Sequence, residues 1–155
     1  MFRLRGRPWT NRNGRQGWFD VTSEYLEGYH IPLVHPGLFR ELDYAAYRVE
    51  TGEYHSKQHA PLRRRAALDS VYRRDLKEGA EPEALYYWIF PNLMLNLYPD
   101  NLQTNVIVPL GHERTLTRFE WFVSEEHRPG LEEEFARSMA FSRSARTACI
   151  ISTVC

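Results

Sequence analysis

The alternation of apolar and polar positions is sharpest between residues 83 and 124. Two aromatic-rich runs, ALYYWIFP and LMLNLYP, carry the β-branched, aromatic and aliphatic content of buried strands. LQTNVIVPL and RTLTRFEWFV read as two more strands. In the last of these, Leu116, Arg118, Glu120 and Phe122 fall on one face and Thr117, Phe119, Trp121 and Val123 on the other. Successive strand residues point to opposite faces, so the second set is the core side. Pro99-Asp100-Asn101 and Gly111-His112 supply the turns between strands. Upstream, DYAAYRVETGEYHSKQHA reads as two short strands around Thr51-Gly52.

The period changes towards both ends. Trp18, Val21, Tyr25, Leu26 and Tyr29 recur at helical spacing, which predicts a helix over about 18–30. Pro32 lacks an amide donor and disfavours helical geometry at Ile31, so the helix should stop there, with Pro36-Gly37 completing the break. Residues 61–82 read as an Arg-rich surface excursion with one short helix. Ser124 is a candidate cap for a further helix, with Leu131, Phe135, Met139 and Phe141 on one face and Glu132 to Glu134 at its positive end. Short strands joined by tight turns, with helices at both ends of the order, predict an α+β domain: a curved antiparallel sheet gripping a helix. Residues 1–17 hold five arginines and no acid, and read as a disordered basic arm. The chain thus divides into that arm, a domain core over 18–143, and a tail over 144–155 without periodicity.

Composition narrows the function classes. Twenty basic and 20 acidic residues cancel, so no net field favours nucleic acid or an anionic membrane. No apolar run approaches the roughly 20 residues of a membrane helix, and the N-terminus lacks the apolar stretch of a secretory signal. The two cysteines, Cys149 and Cys155, make no disulfide framework, which fits a cytoplasmic protein.

The chemistry concentrates in LEGYHIPLVHPGLF, residues 26–39. Glu27 and His30 are three apart, neighbours on one helical face. His35 is five residues beyond His30, about 140° away on an ideal helix, and a break at Pro32 would be needed to swing the rings together. Two imidazoles and one carboxylate are the donor set of the facial triad that holds mononuclear Fe(II) and leaves positions open for O₂ and substrate. Glu27 suits either the third ligand or a group that orients a ligand ring from behind. The spacing alone leaves metal binding and two ordinary satisfied histidines both open.

The longer string WFDVTSEYLEGYHIPLVHPGL resembles the mononuclear-iron segment of the Rieske-type ring-hydroxylating oxygenases, α subunit. YWIFPNLMLNLYPDNLQTNVIVPLG followed by RTLTRFEWFV is similar to the sheet of the same family, in the branch that includes choline-monooxygenase-like enzymes. The resemblance covers about 18–143 and implies a helix-grip, START-like catalytic domain. It implies that His30 and His35 are iron ligands, and that Glu27 is the acid that bridges an iron histidine to the Rieske cluster of a neighbouring subunit. It also implies Fe(II)- and O₂-dependent hydroxylation or oxidative demethylation of a small organic substrate. Electrons would arrive from a reductase or ferredoxin through a [2Fe–2S] centre, in a homotrimer, without nucleic acid or membrane. Met94 and Asn96, on the central strand, are the candidate substrate-pocket residues, ordinary core being the alternative.

Three departures from the family pattern qualify this expectation. A Rieske cluster needs two Cys and two His, and the cysteines here are both at the far C-terminus with no histidine near them. Gly17, Phe19, Ser23 and Glu24 stand where the family has Asn, Lys, Glu and Asn. The family's third iron ligand, an aspartate near position 149, has no counterpart, because no acid follows Glu134. These losses predict a catalytic-domain core interrupted at both ends and inactive by itself. The rival readings are a non-catalytic small-molecule binder and a remnant that associates with full-length oxygenase subunits. His55 and His59, four apart on an expected strand, read as solvated surface, as do His112, His127 and Arg63 to Arg65.

Overall fold

A computed structural model describes residues 2–13, 22, 26, 28–63, 83–99, 101–124, 133, 136–137 and 139–140. Its centre is a curved antiparallel sheet of seven strands. In chain order these are β1 (Phe2–Asn13), β2 (Arg48–Thr51), β3 (His55–Pro61), β4 (Glu83–Ile89), β5 (Leu93–Leu97), β6 (Asn101–Gly111) and β7 (Arg114–Ser124). Between β1 and β2 lie two short helices, α1 (Ile31–Val34) and α2 (Pro36–Glu41), and a 3₁₀ turn, Tyr44–Ala46. From β2 to β7 the strands pair with their sequence neighbours, and β1 closes the far side against β7.

That last pairing corrects one expectation. Phe2–Asn13, read as a disordered arm, is an edge strand in register with β7 from Phe2↔Ser124 to Asn13↔Thr115, with a shift between Arg5 and Trp9. Backbone hydrogen bonding to an otherwise open edge makes a strand of a segment whose composition carries little strand signal. Gly6 and Pro8, which weaken strand pairing, fall in the irregular stretch.

The expected strands of the middle are all present. The β2–β3 hairpin turns at Gly52, whose amide hydrogen-bonds to the His55 carbonyl at 2.8 Å. Tyr98 N–H meets the Asn101 carbonyl at 2.8 Å and closes the β5–β6 turn. Every second residue of β3, β4, β5 and β6 is buried over most of its length, as a one-sided sheet requires. In β7 the buried set is Thr115, Thr117, Phe119, Trp121 and Val123, the face expected from the alternation.

The proline-rich segment behaves differently from expectation. Pro32 and Pro36 do not end a helix; each sits in the first turn of one, where its missing N–H has no intrahelical acceptor to miss. The chain breaks at His35, with φ −120° and ψ 62°, which caps α1 at its C-terminus and precedes α2. The helix expected over 18–30 falls mostly outside the described residues, as do the excursion between β3 and β4 and most of the C-terminal helix. Thr22, Glu133, Ala136, Arg137, Met139 and Ala140 are helical.

Ile31, Leu42, Ala60, Leu62, Ala84 and Tyr86 form one apolar cluster, with Leu38, Phe39, Tyr44, Tyr47 and Tyr98 packed around it. It fastens α1 and α2 over the β3–β4 end of the sheet. Leu42 bridges Leu62, Asp43 N–H reaches the Pro61 carbonyl at 2.7 Å, and Arg63 N–H reaches the Glu41 carbonyl at 2.8 Å. The Arg63 side chain is therefore tied in rather than free. Its Nε donates to the Leu42 carbonyl at 2.6 Å, and its guanidinium lies 5.4 Å from the Phe39 ring centroid. A second cluster, Met94 and Ile107 with Trp88, occupies a neighbouring part of the buried face.

Candidate metal centre

His30 and His35 sit at opposite ends of α1, one leading into it and the other leaving it. The helix is built between them: Val34 N–H bonds to the His30 carbonyl at 2.8 Å and His35 N–H to the Ile31 carbonyl at 3.0 Å. One short turn of helix, broken at His35, brings the two rings together where a straight helix would spread them. Their centroids are 5.1 Å apart, with planes at 78°. His35 is buried at 8% exposure and His30 is half-buried. Rings this close can offer nitrogen donors to one ion, and imidazole suits first-row metals, Fe(II) among them.

Glu27, expected as the bridging acid, lies outside the described residues. Among the described residues no group of three or more His, Cys, Asp or Glu side chains converges as a metal cage. The structure thus juxtaposes two of the three candidate polar groups of the segment.

Met94 and Asn96, the expected pocket residues, are both on the buried face of β5, at 0% and 3% exposure. The register places them on adjacent transverse rows of the sheet. One row runs Val49, Gln58, Tyr86, Asn96, Gln103, Trp121 through successive cross-strand partners; the next runs Thr51, Ser56, Trp88, Met94, Asn105, Phe119. The buried face is consequently rich in amides and aromatic rings. Gln58, Asn96, Asn101, Gln103 and Asn105 are all buried, and Gln103 Nε2 donates to Asn101 Oδ1 at 3.0 Å. Amides in a core are costly unless hydrogen-bonded. Among the described residues, no Asp, Glu, Lys or Arg is buried with them.

Sequence reasoning missed the residues that hold the histidine turn. Gly28 is buried two positions before His30. Its carbonyl accepts Ile31 N–H at 3.2 Å and the Tyr44 hydroxyl at 3.1 Å. The Tyr47 ring lies so close that a Cβ on residue 28 would meet it at 2.6 Å. The Tyr47 hydroxyl in turn donates to Gln58 Oε1 on β3. The sequence signal was the pair Tyr44 and Tyr47, three apart in a segment read as strand; in a 3₁₀ turn that spacing brings them onto one side, and the rings stack 5.7 Å apart.

His59 also differs from expectation. It shares the outer face of β3 with His55, yet its Nδ1 lies 2.6 Å from Glu83 Oε1 on β4 and its Nε2 3.4 Å from Glu50 Oε1 on β2. Cross-strand acids make it a structural link between three strands rather than a solvated side chain. His112 is in the β6–β7 turn and exposed, as expected.

Comparison with known proteins agrees with this architecture. Residues 19–149 match the family model of the ring hydroxylating α subunit, catalytic domain. The chain belongs to that family. It is 31% identical over 120 residues to the chloroplastic choline monooxygenase of Arabidopsis thaliana, covering 77% of this chain and 26% of that protein. It is 29% identical over 119 residues to putrescine 2-hydroxylase of Bordetella bronchiseptica, covering 70% of this chain and 28% of that one. The chain therefore spans about a quarter of the length of these curated relatives. Among solved structures, a quaternary ammonium Rieske monooxygenase superposes with a TM-score of 0.76 at 18% identity, over 96% of this chain and 38% of that one. A START superfamily protein from Mycobacterium smegmatis superposes at 0.55 and 13% identity, over 95% of this chain and 97% of that one. No described helix is long and apolar enough to cross a membrane.

Proposed function

We propose that His30 and His35 hold a mononuclear Fe(II), and that the domain serves hydroxylation or oxidative demethylation of a small amine-bearing substrate. The observation that carries this is the edge-to-face pair of imidazoles at 5.1 Å, inside the segment that matches the family model. When bound, such an iron supplies O₂ activation. The chain's own contribution is to fix two imidazoles at the ends of one helical turn and to bury the His35 ring. Glu27, three residues before His30, is the acid we assign to electron entry from a Rieske [2Fe–2S] centre outside these 155 residues, served by a reductase or ferredoxin. Without that centre the chain by itself does not turn over.

The substrate assignment rests on chemistry that the buried face offers. Amide oxygens and the rings of Tyr86, Trp88 and Trp121 suit a cation, and the described residues set no buried Lys or Arg among them. The related proteins are named for choline, putrescine and a quaternary ammonium substrate, all of which carry cationic nitrogen at neutral pH. Met94 and Asn96 are the residues we place against it.

The test is an anaerobic Fe(II) titration of the chain beside a His30→Ala, His35→Ala double variant. The expected result is about one iron per parent chain and none per variant. Equal binding by both would remove the histidine pair from the metal site. Absence of binding by either would leave the chain as a helix-grip binder or a partner of complete subunits.

A further inference from the structure

The turn that carries His30 is held from outside itself. Residues 28–31 close through the Ile31 N–H to Gly28 carbonyl bond at 3.2 Å, with His30 at the third position. Two tyrosines contact its first residue, one through a polar bond and one through its ring. Tyr44 hydroxyl donates to the Gly28 carbonyl at 3.1 Å, which holds the turn by a polar bond. Tyr47 lies against the Gly28 α-carbon so closely that a β-carbon there would meet its ring at 2.6 Å and one of the two would have to shift, which holds the turn by contact. Tyr47 is itself pinned, because its hydroxyl donates to Oε1 of Gln58, a residue 5% exposed on the buried face of β3. Gln58 stands directly across from Tyr86, and Tyr86 from Asn96.

We infer that Tyr47, held by Gln58, is a positioning residue for His30, and that through it the amide row of the sheet sets the geometry of the histidine pair. The inference rests on the reading of His30 and His35 as iron ligands. Tyr47 does not itself reach a metal. It acts through Gly28, one step further back than the groups that bond a ligand directly, whose loss commonly changes metal affinity by about 10–100-fold.

The experiment compares the full chain with Tyr47→Phe, which keeps the ring against Gly28 and removes only the hydroxyl. Gln58→Leu removes the acceptor at the other end of the same bond. Imidazole ¹H–¹⁵N spectra of the iron-free proteins report His30, with His59 on the outer face of β3 as an internal control. Both variants are expected to move the His30 resonances and leave those of His59 in place, and the double variant should move them no further than either single one. Unmoved His30 resonances would overturn the inference, and so would equal movement of His59, which would mean a general perturbation of β3. An Fe(II) titration of the same proteins is expected to show affinity reduced about tenfold in Tyr47→Phe. If the parent binds no iron, the metal reading fails alone, and the imidazole spectra still decide whether Tyr47 positions the turn.

Discussion

At the scale of single residues, the histidine turn depends on what is missing as much as on what is present. Gly28 is there because the Tyr47 ring occupies the space of a β-carbon. Gly28→Ala forces either the stacked Tyr44–Tyr47 pair or the turn to move. Overpacking of this kind costs about 1–3 kcal/mol, and chemical denaturation of the variant should show a loss in that range. An unchanged midpoint would mean that Tyr47 yields freely, which would also weaken its role in placing His30. His59 makes the opposite point. With no third metal ligand evident beside His55 and His59 the sequence points to a solvated surface, and the partners Glu50 and Glu83 are set beside His59 only by strand pairing.

At the scale of elements, the sheet's two faces are chemically distinct, and β7 shows it best. Trp121 is 1% exposed on the buried face, whereas Arg118 lies outside and pairs with Glu120. Trp121→Ala should cost about 3–5 kcal/mol, as large-to-small changes in a packed core do. Arg118→Ala should cost no more than about 1 kcal/mol, since exposed ion pairs contribute little. Urea denaturation of the two variants side by side checks the assignment of faces, and similar losses in both would contradict it. The helical elements are where local rules and outcome part. A proline inside a pattern reads as a stop, but Pro32 and Pro36 each open a short helix, because the first turn has no hydrogen bond for proline to break. Two helical starts five residues apart leave the hinge at His35, and at that hinge its ring lies against that of His30.

At the scale of the whole molecule, the buried face joins the two regions that the proposal needs. The α1–α2 segment is clamped to the β3–β4 end by the cluster around Leu42 and Tyr86, and the amide rows continue from there to β7. A bound amine would therefore be read as stability. A ligand at about 100 times its Kd adds roughly 2.7 kcal/mol to a folded state that binds it. Choline or putrescine should raise the melting temperature of the chain, and 3,3-dimethylbutan-1-ol, which has choline's shape without its charge, should raise it much less. Equal shifts from the charged and neutral compounds would remove the cation from the substrate assignment.

How much of this could be read in advance follows from how far apart the interacting residues lie. The strands from β2 to β7, the core side of β7, the turns at Gly52 and Gly111, and the candidacy of His30, His35, Met94 and Asn96 were all legible, because period-two alternation and residue chemistry are local properties of a chain. The placement of Phe2–Asn13 beside β7, the hinge at His35, the enclosure of His59 by two acids and the Gly28–Tyr47–Gln58 contact were not. Each depends on a partner distant in sequence, or on a choice between two local conformations that only packing decides. The identity of the candidate metal donors was thus written into the sequence. Their convergence was decided by the tertiary structure, which sets one helical turn against a tyrosine pair and holds that pair on the sheet.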